Sequence, residues 1–152
     1  AKLAAKAKAI AEARAAAESP TVEIADPIVE KEIRRQRKKP TGELTKADLE
    51  KVTVLFLDDN QLTSVKGLEK LTKLTILNLI NNKLTDVKGL ENLTQLKTLY
   101  LSRNQLTDVK GLENLTKLER LWLHENLALT KAQIDQLQKA LPKCRIDSNP
   151  TK

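Results

Sequence analysis

Leu71 to Asn92 reads LTKLTILNLINNKLTDVKGLEN, and Leu93 to Asn114 repeats it at the same length as LTQLKTLYLSRNQLTDVKGLEN. An earlier copy, Leu49 to Lys70, reads LEKVTVLFLDDNQLTSVKGLEK, and a partial one opens at Leu115 with LTKLERLWLHEN. A fixed period of 22 residues is the signature of stacked coils, each too small to bury its own apolar face and each buried by its neighbours. The expected architecture is therefore a solenoid.

Within each copy the run LxxLxLxxNxL alternates with period two around Leu77-Asn78-Leu79 and Leu99-Tyr100-Leu101. That pattern predicts a short strand with leucines inward and the intervening residues outward. The Asn at the ninth position (Asn60, Asn82, Asn104, Asn126) is expected to be structural, its amide bonding backbone groups of neighbouring coils where the chain leaves the strand. In the return half, Leu84, Val87 and Leu90 recur at spacing three, which suits a 3₁₀ or turn-like path. The Lys-Gly pairs at 66–67, 88–89 and 110–111 supply the turn glycine.

These residues resemble a leucine-rich repeat protein, and the 22-residue period is similar to the bacterial internalin-like type. The resemblance covers about residues 44–146, and four consecutive LxxLxLxxN runs make it specific. It implies an α/β fold: a right-handed leucine-rich-repeat solenoid with one parallel sheet of short strands. It further implies a 3₁₀ or turn-like convex side and helical caps at both ends. It also implies a non-enzymatic module that binds protein on its concave strand face, often outside the bacterial cell.

Outside the repeats, four segments can be distinguished. Residues 2–18, KLAAKAKAIAEARAAAE, have strong helix propensity but only Leu3 and Ile10 as large apolar residues. Residues 1–19 are read as an Ala-rich helical arm or linker ended by Ser19-Pro20, either frayed or docked on another subunit. Residues 20–43 are read as an extension, with a short strand over Thr21–Ala25 and a helix from Pro27 to about Lys39. Asp26 is its expected N-cap, and Ile28, Val29 and Ile33 face inward. Arg34, Arg35, Arg37, Lys38 and Lys39 crowd its end, either as an anion-binding patch or, the favoured reading, as solvated cations complementing the helix dipole.

The repeat domain is placed at 44–146. Thr45 and Asp48 have capping-box spacing for a short helix through Val52, expected to cover the first open end. Thr130 and Gln133 have the same spacing before Ile134, Leu137 and Leu141. Cys144 and Ile146 then alternate as a closing strand, which makes 127–146 the C-terminal cap and 147–152 a tail.

Composition narrows the function. Net charge is +7, with ten basic and six acidic residues in 1–40, so the excess is concentrated there; it permits anionic partners without requiring them. The chain has one His, one Cys and no Met. A His pair for zinc, a cysteine cluster and a Gly-rich phosphate loop are all missing, so no metal, cofactor or catalytic role is expected. Cys144 is read as a small buried apolar residue against a reactive thiol. The adjacent Asp58 and Asp59 are read as a solvated corner, and the sequons at Asn92 and Asn114 as by-products of the repeat. No run of 18 apolar residues occurs, so no membrane span is expected. A chain starting at Ala1 without Met fits removal of a leader or trimming; the first gives a secreted or cell-surface protein, and a cytoplasmic one stays open.

Parallel stacking aligns outward strand positions in columns, one residue per coil. Val54, Ile76, Thr98 and Arg120 form the first; Phe56, Asn78, Tyr100 and Trp122 the second; Asp58, Ile80, Ser102 and His124 the third. Asp59, Asn81, Arg103 and Glu125 flank them. All three aromatics of the chain and its one His fall on this face. Strand propensity accounts for one aromatic there, less well for three with none left for the core. Exposed Trp, Tyr and Arg are the residues that carry interface energy, so the face is the candidate site for a protein or peptide. The alternative is a self-assembling subunit, a homo-oligomer or filament built through the arm and the solenoid ends. A nucleic acid or membrane surface bound by the basic helix is a weaker third reading.

Overall fold

The computed structural model describes residues 3–10 and 20–149. Its centre is a five-stranded parallel sheet in which strand order equals chain order: β1 (Val54–Phe56), β2 (Ile76–Asn78), β3 (Thr98–Tyr100), β4 (Arg120–Trp122) and β5 (Arg145–Asp147). The first three registers pair each residue with the one 22 positions on, so the period of the sequence is the period of the sheet. The return segments carry 3₁₀ turns at Leu68–Lys70, Leu90–Asn92 and Leu112–Asn114, as spacing three predicts.

Each turn is entered through a glycine at φ 95°, 103° or 107° (Gly67, Gly89, Gly111), a region that L side chains avoid. The glycine N–H donates to the carboxylate two residues on: to Glu69 at 2.7 Å, Glu91 at 2.8 Å and Glu113 at 2.8 Å. The GLE triplet recurs in every full copy, so this bond repeats with the period.

The core is aliphatic throughout. Every inward leucine from Leu55 to Leu123 on the strands is 0–1% exposed, and no aromatic joins them. Full burial of one such side chain stabilises by about 1.5–3 kcal/mol, and stacked coils supply enough of them to replace aromatic bulk.

Three of the ninth-position asparagines join the core, and they do what was expected of all four. Asn82 Nδ2 donates to the carbonyls of Leu57 and Leu79 at 3.0 Å each, while its Oδ1 accepts from Asn60 N–H and Leu62 N–H. Asn104 and Asn126 donate in the same way to the preceding coil and their own, and accept from Leu84 and Leu106. Asn60 departs from the pattern. It stands on the first coil with no strand below, and its amide donates only to Asp58 O two residues back.

The N-terminal end differs from expectation in two ways. Thr21–Ala25 is not a strand: only Thr21 forms an isolated antiparallel bridge, to Thr45, and Ile24 is buried in the core beside Gly67. The next helix, α1 (Pro27–Arg37), is capped by Asp26, whose carboxylate accepts from Ile28 N–H at 2.8 Å and Val29 N–H at 3.3 Å. It stops two residues early because Lys38 turns left-handed (φ 53°), so that its N–H and that of Lys39 close on the last carbonyls. Val29 and Ile33 are buried, Ile28 partly.

The first sheet edge is sealed by α1, which packs on β1, while the short helix α2 (Lys46–Glu50) buries Leu49 at the same end of the core. Gln36 Nε2 of α1 donates to Val54 O at 2.7 Å, satisfying an edge carbonyl that no strand reaches. The capping box of α2 is present on both arms, and Leu49 and Val52 are buried. The C-terminal cap follows its sequence signal. Thr130 and Gln133 form a capping box at the start of α3 (Lys131–Ala140), Leu137, Leu141 and Cys144 are buried, and β5 closes the sheet. Residues 3–10 are helical, with Leu3 83% and Ile10 53% exposed; the expected continuation to Glu18 and the stop at Ser19-Pro20 involve positions outside the described residues.

Candidate binding face

The outward columns predicted from the period are columns of the sheet. Val54, Ile76, Thr98 and Arg120 are register partners, as are Phe56, Asn78, Tyr100 and Trp122. The third column, Asp58, Ile80, Ser102 and His124, continues beyond the strand ends, where Asp59 N–H donates to Ile80 O, Asn81 N–H to Ser102 O and Arg103 N–H to His124 O.

Two rows of the face come closer together than the sequence alone implies. The rings of Tyr100 and Trp122 meet edge to face, 85° apart with centroids at 4.4 Å, and both are half-buried by this contact and their neighbours. Phe56 stands apart, 50% exposed, with Asn78 between it and Tyr100 in the register. Asn78 turns its Oδ1 to accept from Ile80 N–H at 3.0 Å, so its amide group is what remains on offer.

Asp59, Asn81, Arg103 and Glu125 form a rim rather than a fourth flat column. Each adopts left-handed backbone, φ 58–60°, where the chain breaks from the strand into the turn. Asp and Asn tolerate that region well, whereas Arg103 and Glu125 occupy it at some cost. Arg103 Nε donates to Glu125 Oε2 at 2.6 Å, and Asn81 Nδ2 donates to Asp59 Oδ1. With Gln61, Lys83 and Gln105 these residues line an open polar groove along the edge of the face.

The register adds a fifth row beyond the four repeat copies. Arg145 pairs with Arg120 and Asp147 with Trp122, so both lie on the same face. They are ion-paired to each other at 3.5 Å, and Asn149 Oδ1 accepts from Glu125 N–H beside them. The alternation of Cys144 and Ile146 leaves Arg145 and Asp147 on the outward side of the closing strand, but without the LxxLxLxxN frame their column-mates are not set by the repeat.

The basic end of α1, weighed as an anion site, is largely spent on ion pairs. Arg34 binds Glu30 and the Lys39 carbonyl, Arg35 binds Glu32, and Lys39 binds Asp48 at 3.0 Å. Asp48 sits below the usual carboxylate range: burial alone would raise it, but the Thr45 N–H, Lys39 and the Thr45 hydroxyl together outweigh that. Among the described residues no group of three or more His, Cys, Asp or Glu is placed to hold a metal ion, and no helix is long and apolar enough to cross a membrane.

Known proteins share this geometry. Over 85% of its length the chain is similar to an internalin C2 from Listeria monocytogenes, at 26% identity and a TM-score of 0.74, spanning 57% of that protein. An internalin (inlF) from the same organism matches over 85% at 27% identity and a TM-score of 0.71, with 44% of it covered. A leucine-rich repeat protein of Leptospira interrogans matches over 66% at 35% identity and a TM-score of 0.60, with 26% covered. The chain thus spans about half the length of the internalins it resembles. No curated protein matches it. Leucine-rich repeat proteins are in general protein-binding, non-enzymatic modules. The family model described as Leucine Rich repeats (2 copies) matches residues 50–92 and again 94–139, and the chain belongs to that leucine-rich repeat family.

Proposed function

We propose that this chain is a recognition module that grips a protein or peptide on its strand face, with Tyr100 and Trp122 as anchors and Phe56, Arg120 and His124 around them. The carrying observation is the segregation of aromatics: all three stand on the outward middle column, and the buried core contains none. Large amphipathic rings on a rigid sheet bury much area on contact with little ordering cost, and Arg beside them adds a directional donor. Val54, Asp58, Ile76, Asn78, Ile80, Thr98, Ser102, Arg103 and Glu125 would complete the contact surface on the same face and rim. The resemblance to internalins supports work outside or on the surface of a bacterial cell.

The test is a pull-down from the source cell's surroundings and surface fraction with wild-type chain and with Trp122→Ala and Tyr100→Ala. A protein retained by wild type and lost by both variants supports the reading. Equal retention by all three sinks it.

A second reading, self-assembly into an oligomer or filament, draws on residues 3–10, where Leu3 and Ile10 lie seven apart on one helix face and are both exposed. Light scattering on the full chain and on a form lacking residues 1–20 separates the two. A persistent monomer at high concentration removes this reading.

A further inference from the structure

Several charged side chains stand on the strand face and its rim, and four of them cancel in pairs. Arg103 is paired with Glu125, and Arg145 with Asp147. Asp58 on the first coil and Arg120 on the fourth have no ion-pair partner among the described residues, and both are exposed. Asp59, beside Asp58, is held only by the neutral amide of Asn81. In the three outward columns the uncompensated charge is therefore negative at the β1 end and positive at the β4 end, with Lys83 outside them on the rim groove.

These two ends lie on a diagonal. Asp58 is in the third column and Arg120 in the first, so three strand spacings and four residues along a strand separate them, a distance of about 20 Å. The line between them crosses the middle column between Asn78 and Tyr100. An extended chain covers that distance in about six residues.

We infer that the partner segment is charge-polarised: an extended stretch with a basic residue over Asp58 and an acidic one over Arg120. Apolar or aromatic side chains between them meet Tyr100 and Trp122. This rests on the strand face being the binding surface, and it adds the class of sequence that the face selects. Opposite charges at the two ends also fix how the segment lies across the coils, because the reversed placement sets like charges against each other at both ends.

The test is selection from a phage-displayed library of random peptides of about ten residues on the full chain, on Arg120→Glu, on Asp58→Lys/Asp59→Lys and on Trp122→Ala. Wild type is expected to enrich peptides in which a Lys or Arg and an Asp or Glu are separated by about five residues with an apolar residue between. Arg120→Glu is expected to enrich peptides basic at both ends, and the double lysine variant peptides acidic at both ends. Synthetic peptides from the wild-type pool are expected to bind either charge variant about fivefold or more weakly. Selected peptides without the charge pattern, or with the same pattern on all charge variants, overturn the inference. If those peptides still depend on Trp122, the strand face stands as the binding surface and only its charge rule fails. Absence of enrichment above background on wild type overturns the inference as well.

Discussion

Tyr100 and Trp122, on adjacent strands and paired in register, hold their rings edge to face at 4.4 Å. Cross-strand aromatic pairs of this geometry contribute about 0.5–1.5 kcal/mol beyond the area they bury. A double-mutant cycle with Tyr100→Ala and Trp122→Ala, followed by urea unfolding, is expected to return a coupling in that range. Because Trp122 is the one tryptophan, its emission should also move to longer wavelength in Tyr100→Ala as the indole loses its cover. An additive cycle with unchanged emission would show that the rings do not touch in solution.

The ladder of buried amides gives a sharper contrast between positions that look identical in sequence. Asn104 donates to Leu79 O and Leu101 O and accepts from Leu84 N–H, all in the buried interior. Asn104→Ala leaves the buried Leu84 N–H without a partner, while Leu79 O and Leu101 O keep one amide each, from Asn82 and Asn126, so the loss should be about 1–3 kcal/mol. Asn60 has one bond of its amide, to Asp58 O, near solvent. Asn60→Ala should cost less than about 1 kcal/mol. Chemical denaturation of both variants decides the matter, and equal losses would refute the inequality of the first coil.

Gln36 supplies the one side-chain bond from α1 to the edge of the sheet, at 2.7 Å to Val54 O. Gln36→Leu keeps the bulk and removes the donor, so the exposed edge carbonyl must find water or stay unpaired. The expected loss is about 1–2 kcal/mol, with amide exchange in β1 accelerating more than in β3. Uniform exchange rates along the sheet would mean that α1 does not seal its edge.

How much of this was readable follows from what each residue answers to. The coil, the columns and the asparagine ladder depend on the 22-residue period, and a period survives any uncertainty about single elements. The aromatics' outward placement was legible for the same reason, since Phe56, Tyr100 and Trp122 occupy one phase of the repeat. The Tyr100–Trp122 contact was not, because side-chain rotation is not written in the phase. The ends were read least well. Thr21–Ala25 has the alternation of a strand, yet the first sheet edge is taken by α1, so the segment is left with a single bridge to Thr45. Arg145 and Asp147 joined the face through their register with β4, which the alternation of Cys144 and Ile146 does not specify.

Cys144 makes a prediction whose sign can be worked through. It is the chain's one cysteine, lies free and 4% exposed under the C-terminal cap, and its thiol is pushed up to about 11, first by burial and then by the nearby Asp147 carboxylate. The thiolate is the reactive form, so in the folded chain at neutral pH almost none is present. Labelling by a thiol reagent at pH 7 should therefore be slow in native buffer and fast in denaturant. The same shift links to stability: the folded state favours the protonated thiol, so its contribution is complete below the unfolded value near 9 and disappears as pH rises through about 11. Cys144→Ala should flatten the pH dependence of unfolding between pH 9 and 11 relative to wild type. Rapid labelling of the native chain at pH 7, or identical pH profiles for the two proteins, would show the thiol to be open to solvent and Asp147 to act only through Arg145.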